Sequence, residues 1–415
     1  MKLKGIERKR YDNGLTLLLE HLPEKKKAAL VIGVKVGSVN ENPELSGASH
    51  FNEHMLFKSN KYLSYKEIIR SLEYAGIITN AYTTYQYTAF YAKSPPREIE
   101  KAIQILFQAA TNFSYEEKEF SLEKEVILAE IHNYINSPED YVMSELFVPT
   151  LFRGTPLSNK ILGTIESIKN IKKETLENFK AEYYTPGNMI IAVSGNFDIE
   201  TVEKKVEETF ASLEKRKSPN TNVKIDKRNE YYRKIETRKD ITQTYLCSGY
   251  RVDGYESDDM HKIEFLSSLL SEGMSSRLFI ELREKRGIGY SVGNIYYPLE
   301  NVGIFCTHVD GFDTSRLKET ENVINDIYQN LKKYGTKAKE LEGMKNLFLS
   351  KYEDKLENVV NRGIMLIERE IYSIKFDFRE KEKYIKEINN EDVMEIAEKI
   401  FTEDYTITLL MPEKS

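Results

Sequence analysis

A chain of 415 residues exceeds one ordinary domain, and its 40% hydrophobic content suffices for more than one core. The net charge of −6 arises from interspersed acids and bases with no extended basic stripe, which argues against a nucleic-acid partner. No apolar run approaches the roughly 18 residues of a membrane span, and the opening Met1-Lys2-Leu3-Lys4-Gly5 is charged with no apolar stretch behind it. No membrane partner and no signal peptide are therefore expected, and the expected compartment is the cytoplasm.

The first half begins with two strands, residues 15–22 and 29–37, rich in Leu, Val and Ile. A turn with Asn40, Asn42 and Pro43 leads to a helix over 46–58. A second helix, 65–75, is stopped by Gly76. Residues 77–84 and 87–93, dominated by Thr, Tyr and Phe, form a strand pair that Pro95-Pro96 ends. Helices follow at 98–112, 115–136, 141–151 and 172–184. An apolar strand at 188–194 and a helix at 199–213 close this half.

Residues 214–228 read EKRKSPNTNVKIDKR, polar and charged with one Pro, and form the linker. The order of elements then repeats. Strands are expected at 231–236, 242–250, 288–297, 302–309 and 405–411. Helices are expected at 259–271, 275–285, 315–333, 337–352, 356–372 and 391–401. Strands come as hairpins and helices in blocks, so the fold class is α+β, with one unit of about 200 residues used twice. The division is residues 1–214, linker 215–228 and residues 229–415. Cys247 and Cys306 both fall in apolar, strand-like stretches and read as buried free thiols.

The chemistry concentrates in His50-Phe51-Asn52-Glu53-His54. On a helix, residues four apart share a face, so two imidazoles and one carboxylate fall within an arc of about 100°. That is a pair of metal ligands with an acid/base group beside them. A catalytic zinc takes three protein ligands and keeps a position for water. Candidates for the third lie on the 115–136 helix, which carries Glu123, Glu125, Glu130 and His132. Glu123 and Glu130, two turns apart, share a face.

The His-x-x-Glu-His order is the inverted zinc motif. With the downstream Glu123-Lys-Glu-Val-Ile-Leu-Ala-Glu130, the sequence resembles the insulinase/pitrilysin family of zinc metallopeptidases. The resemblance implies that His50, His54 and Glu130 hold zinc and that Glu53 is the general base. It also implies that Glu123 is a second catalytic carboxylate near the site. Asn80-Ala81-Tyr82-Thr83 is similar to the edge strand on which that family lays the substrate backbone. Ser275 to Tyr290 is similar to its Arg-x6-Tyr segment, which assigns substrate contact to Arg283 and Tyr290 and oxyanion stabilisation to Tyr290. Asn52 departs from the family pattern, standing where an apolar residue is usual. Ser59-Asn60 and Ser271-Glu272 are further departures.

The half-length group of this family, which includes the mitochondrial processing peptidases, implies that each chain forms one half of a clamshell. A homodimer, or a heterodimer with a related chain lacking the zinc motif, is then expected. The function so implied is a zinc endopeptidase acting on unfolded peptides inside a closed chamber. The alternatives are a catalytic subunit active only with a partner chain, and a non-catalytic assembly subunit.

Overall fold

The computed structural model describes residues Gly5–Glu413, in which eleven strands form two sheets. Met1 to Lys4, part of the N-terminal reading above, lie outside the described residues. The chain divides into two units, each drawn from three segments. The first takes residues up to His132, Asn159–Val223 and Lys355–Lys375. The second takes Asn133–Ser158, Lys224–Asp354 and the chain from Phe376 onward.

The first unit holds β1 (Glu7–Arg10), β2 (Thr16–His21), β3 (Ala28–Val34), β4 (Ile78–Thr83), β5 (Thr88–Ser94) and β6 (Met189–Gly195). Their order in the sheet is β1-β2-β6-β3-β5-β4. Only β2 and β6 run parallel; the other neighbours are antiparallel. Strands β3 and β6 are buried along their whole length, which explains their unbroken Leu, Val and Ile content. At one edge, β1 reads Glu-Arg-Lys-Arg. Its charge hid it from hydrophobic patterning and protects an open edge. At the other edge, β4 is half-exposed and pairs only with β5.

Helices α1 (Ala48–His54), α2 (Tyr65–Tyr74), α3 (Ile99–Thr111) and α4 (Glu117–Asn136) follow in the first half of the chain. A helix from much later in sequence, Val359–Ile371, also packs on β3 and β6. It approaches so closely that a Cβ on Gly363 would lie 2.6 Å from Val31 Cγ2, which only glycine permits. Val360, Leu366 and Ile367 are buried there, each burial worth about 1.5–3 kcal/mol. Arg362 donates to both carboxylate oxygens of Glu20, itself 1% exposed, and Ser194 Oγ also donates to Glu20. Removing one partner of such a pair is far more costly than the pair is stabilising.

The second unit holds β7 (Tyr232–Arg238), β8 (Thr244–Asp253), β9 (Ser291–Pro298), β10 (Val302–Phe312) and β11 (Thr406–Pro412), ordered β7-β11-β8-β10-β9. Here β7 and β11 are the parallel pair. The arrangement repeats β2-β6-β3-β5-β4 strand for strand, so the expected α+β repeat is the architecture found. Its core joins Phe265, Leu266, Phe305, Ile396 and Leu409. Two stretches read as ordinary helices are instead π-helical, Tyr141–Phe147 and Phe279–Glu284. The polar stretch 214–228 has no helix or strand, yet Ile225 within it is buried and exchanges hydrogen bonds with the Asn301 side chain. Cys247 and Cys306 are free and buried, as expected.

Candidate metal centre

The site is built on α1, which is shorter than the sequence suggests. Gly47 precedes it with φ +90°, a conformation that leaves no room for a side chain: a Cβ would lie 2.7 Å from the Leu162 carbonyl oxygen. A glycine N-cap offers no capping oxygen, so the helix borrows one. The buried carboxylate of Glu41 accepts from the backbone N–H groups of Gly47 and Ser49, each at 2.7 Å. Burial pushes the Glu41 carboxyl up to about 7, against the pull of those two N–H groups. Sequence reading missed Glu41. The available signal was an acid shortly before a Gly that opens a seven-residue helix.

On one face of α1 the Nε2 atoms of the buried His50 and the half-buried His54 face each other at 3.2 Å. Glu130 Oε2, from α4, lies 3.4 Å from His54 Nε2 and 3.7 Å from His50 Nε2. All three ligand atoms fall within 4.8 Å of one another, and among the described residues this is the cluster able to hold a metal. Two ligands held about 2.0–2.1 Å from a tetrahedral zinc stand roughly 3.3 Å apart, so the spacing fits such an ion. Two nitrogens this close need either a shared proton or a shared cation between them.

The metal-free electrostatics agree. Burial, aided by the charge of His54, lowers His50 to about 4. Burial would lower His54 too, but hydrogen bonds to Glu123 and Glu130 outweigh it and raise it to about 9. The two imidazoles are thus pushed in opposite directions, His50 toward the neutral form and His54 toward the charged form.

The remaining carboxylates are distinct in environment. Glu53 Oε2 is 4.0 Å from His50 Nε2 and accepts from Thr83 Oγ1 at 2.9 Å. Burial raises its pKa, and Thr83 opposes that rise. Glu123 is 6% exposed. Its Oε1 meets His54 Nδ1 at 2.8 Å and its Oε2 meets Lys58 Nζ at 2.5 Å. Burial would raise its pKa, yet His54 and Lys58 hold it below the usual carboxylate range. Glu130 is also lowered, first by its hydrogen bond with His54. His54 therefore has a carboxylate fixing its far nitrogen, whereas His50 Nδ1 is buried without a hydrogen-bond partner.

Asn80 and Ala81 lie on the edge strand β4, where the Asn80 side-chain oxygen accepts from the Ala81 N–H at 2.9 Å. Thr83, on the same strand, is the residue of that stretch that touches the cluster. Arg283 and Tyr290 belong to the second unit. There the Arg283 guanidinium lies 5.3 Å from the Tyr290 ring centre and 5.1 Å from that of Phe279, and Tyr290 is 81% exposed. Lys58 and Thr83 were given no role from sequence, because neither residue type nor spacing marks a side chain that supports a carboxylate of another element.

Residues 16–165 match the family described as insulinase, peptidase family M16, and residues 170–348 match the peptidase M16 inactive domain. A Bacillus subtilis protein named as the uncharacterized zinc protease YmxG is 30% identical over 98% of both chains. A protease from Helicobacter pylori has a similar structure, with a TM-score of 0.93 at 23% identity over 98% of this chain and 99% of that one. The periplasmic protease PqqL of Escherichia coli matches with a TM-score of 0.80 at 18% identity, over 99% of this chain but 48% of its own. With the repeated fold and the His50-x-x-Glu53-His54 cluster already in place, these likenesses make the chain a half-length member of the insulinase/pitrilysin family, peptidase family M16.

Proposed function

We propose that the protein is a zinc-dependent endopeptidase acting on unfolded peptides. The observation that carries this reading is the convergence of His50, His54 and Glu130 beside an unligated carboxylate, Glu53. Those three residues would hold a zinc ion, which would supply a bound water acidic enough to be deprotonated near neutral pH and would polarise the scissile carbonyl. Glu53 takes the proton from the water and returns it to the leaving amine. Its raised pKa suits both halves of that exchange. Thr83 fixes the carboxylate through Oε2. Glu123 accepts from His54 Nδ1–H, which turns the Nε2 lone pair toward the metal position. Its catalytic contribution thus runs through His54.

The open edge of β4 suits an extended substrate that adds as a further strand, with Asn80 and Ala81 beside it. Arg283 and Tyr290 are assigned to substrate carbonyl groups and the oxyanion on the family resemblance, and the exposure of Tyr290 supports its availability. The chain spans about half of PqqL, which supports pairing with a second half, either an identical chain or a related one. The reading in which the chain is inert until paired with such a partner follows from the same fact.

The test combines a quenched-peptide assay with a mass measurement in solution. Activity that a chelator abolishes and zinc restores supports the function. Activity in a pure homodimer removes the need for a different partner. A zinc-loaded chain, alone and with its related partner, that cleaves no unfolded peptide overturns the reading.

A further inference from the structure

The side of α1 turned away from the metal cluster carries Asn52, one of the residues at which this chain departs from the family pattern. Asn52 is 0% exposed. An amide there must find partners or cost about 1–3 kcal/mol. It finds three. Its Nδ2 donates to the Ala48 carbonyl at 3.1 Å, within α1, and to the Leu176 carbonyl at 3.4 Å. Its Oδ1 accepts from the Tyr115 hydroxyl at 2.7 Å.

Tyr115 is 3% exposed and stands two residues before α4, the helix that carries Glu123 and Glu130. It is held in turn: its N–H donates to Glu177 at 2.8 Å and its carbonyl accepts from Lys173 at 3.2 Å. The Asn52–Tyr115 bond therefore joins the helix bearing the two histidines to the start of the helix bearing the two carboxylates. A leucine at 52 could fill the same space, but packing alone is non-directional. A hydrogen bond of fixed length and angle sets register.

We infer that Asn52 and Tyr115 are a positioning pair, which sets α4 against α1 so that Glu130 reaches the histidines and Glu123 reaches His54. Neither residue touches the metal position or a substrate. This rests on the metal reading proposed above and extends it to residues outside the cluster.

The test is zinc affinity, measured by competition with a chromophoric chelator, in wild type, Tyr115→Phe, Asn52→Leu and the double variant. Circular dichroism confirms that each is folded. Tyr115→Phe removes one oxygen from a buried ring and keeps the comparison open if Asn52→Leu does not fold. A positioning role predicts a zinc Kd raised roughly 2–12-fold in Tyr115→Phe, the range spanned by one typical hydrogen bond. It also predicts that the double variant binds no more weakly than the weaker single variant, because the bond that Tyr115→Phe removes is already lost in Asn52→Leu. A Kd within twofold of wild type in folded Tyr115→Phe, or additive losses in the double variant, overturns the inference. Wild type that takes up no zinc overturns the metal reading itself, and this inference with it, before any variant is compared.

Discussion

Glu123 and His54 meet at 2.8 Å through Oε1 and Nδ1, and Lys58 anchors the other carboxylate oxygen at 2.5 Å. The contact fixes the tilt of the His54 ring, while among the described residues His50 Nδ1 has no such support. Replacing Glu123 by Gln leaves an amide able to present either an acceptor or a donor. Zinc affinity is expected to fall about 10–100-fold with the fold retained. Titration of the metal-free variant with zinc checks this, and an unchanged Kd removes Glu123 from any role at the site.

Glu53 stands beside the His50–His54–Glu130 cluster, with Oε2 4.0 Å from His50 Nε2. Glu53→Gln is expected to keep one zinc per chain and to lose about 10²–10⁴-fold in kcat on a peptide substrate. Metal content by elemental analysis and kcat by fluorogenic assay are measured on the same sample. Wild-type turnover in the zinc-loaded variant would transfer the base to another group.

Thr83 donates a single neutral hydrogen bond to Glu53. Thr83→Val preserves shape and removes the donor. A typical hydrogen bond is worth about 0.5–1.5 kcal/mol, so kcat should fall roughly 2–12-fold while KM holds within a factor of two. A rise in KM with kcat unchanged would make Thr83 a substrate contact on β4 and not a support for Glu53.

His50 and His54 lie on α1 and Glu130 on α4, so a zinc ion held by all three would cross-link the two helices. Binding to the folded state alone adds about 4 kcal/mol when free zinc is 1,000 times Kd. Chelation should therefore lower the thermal midpoint of the first unit, and added zinc should restore it. Glu130→Gln should shrink the difference between chelated and zinc-loaded samples. An identical midpoint with chelator and with zinc in wild type argues against a structural zinc contribution.

Lys180 is fully buried and donates to the carbonyls of Ala109 at 2.8 Å and Asn112 at 2.7 Å, closing the C-terminal end of α3. Burial pushes its pKa down to about 7. Between pH 7 and 10 the unfolded chain holds a proton there that the folded chain has released. Stability from this group is therefore greatest at high pH and is lost as pH falls toward 7, a change on the order of a few kcal/mol. Denaturant midpoints at pH 7 and pH 9 should rise more steeply in wild type than in Lys180→Met. Parallel slopes would mean that Lys180 stays protonated in the folded state.

The zinc helix, the β4–β5 pair and the α+β repeat were legible in the sequence because each has a local period or a local motif. His50, Glu53 and His54 sit within one turn and a half of helix, and the Glu123–Glu130 spacing marks one face of another. What stayed hidden was non-local. Glu41, Lys58, Thr83 and Tyr115 act on the cluster from four different stretches, and no spacing rule links them to it. β1 was lost because its four charged residues show no alternation. The helix Val359–Ile371 was recognised as a helix, but an apolar face does not state which sheet it covers. The π-helical turns at 141–147 and 279–284 differ from α-helix by one hydrogen-bond register, which composition does not encode.

The buried Glu20–Arg362 pair and the close seat of Gly363 on Val31 bear on how the molecule is made. Synthesis proceeds from the N-terminus at about 5–20 residues per second. Both histidines and the carboxylates Glu53, Glu123 and Glu130 have left the ribosome long before Val359–Ile371 exists. For that interval β3 and β6 wait with one face uncovered and Glu20 without its guanidinium. A fragment ended at residue 214 keeps His50, His54 and Glu130 and still lacks the helix that packs on its sheet. Such a fragment should be recovered mostly as aggregate, and supplying residues 355–375 as a separate peptide should raise its soluble yield.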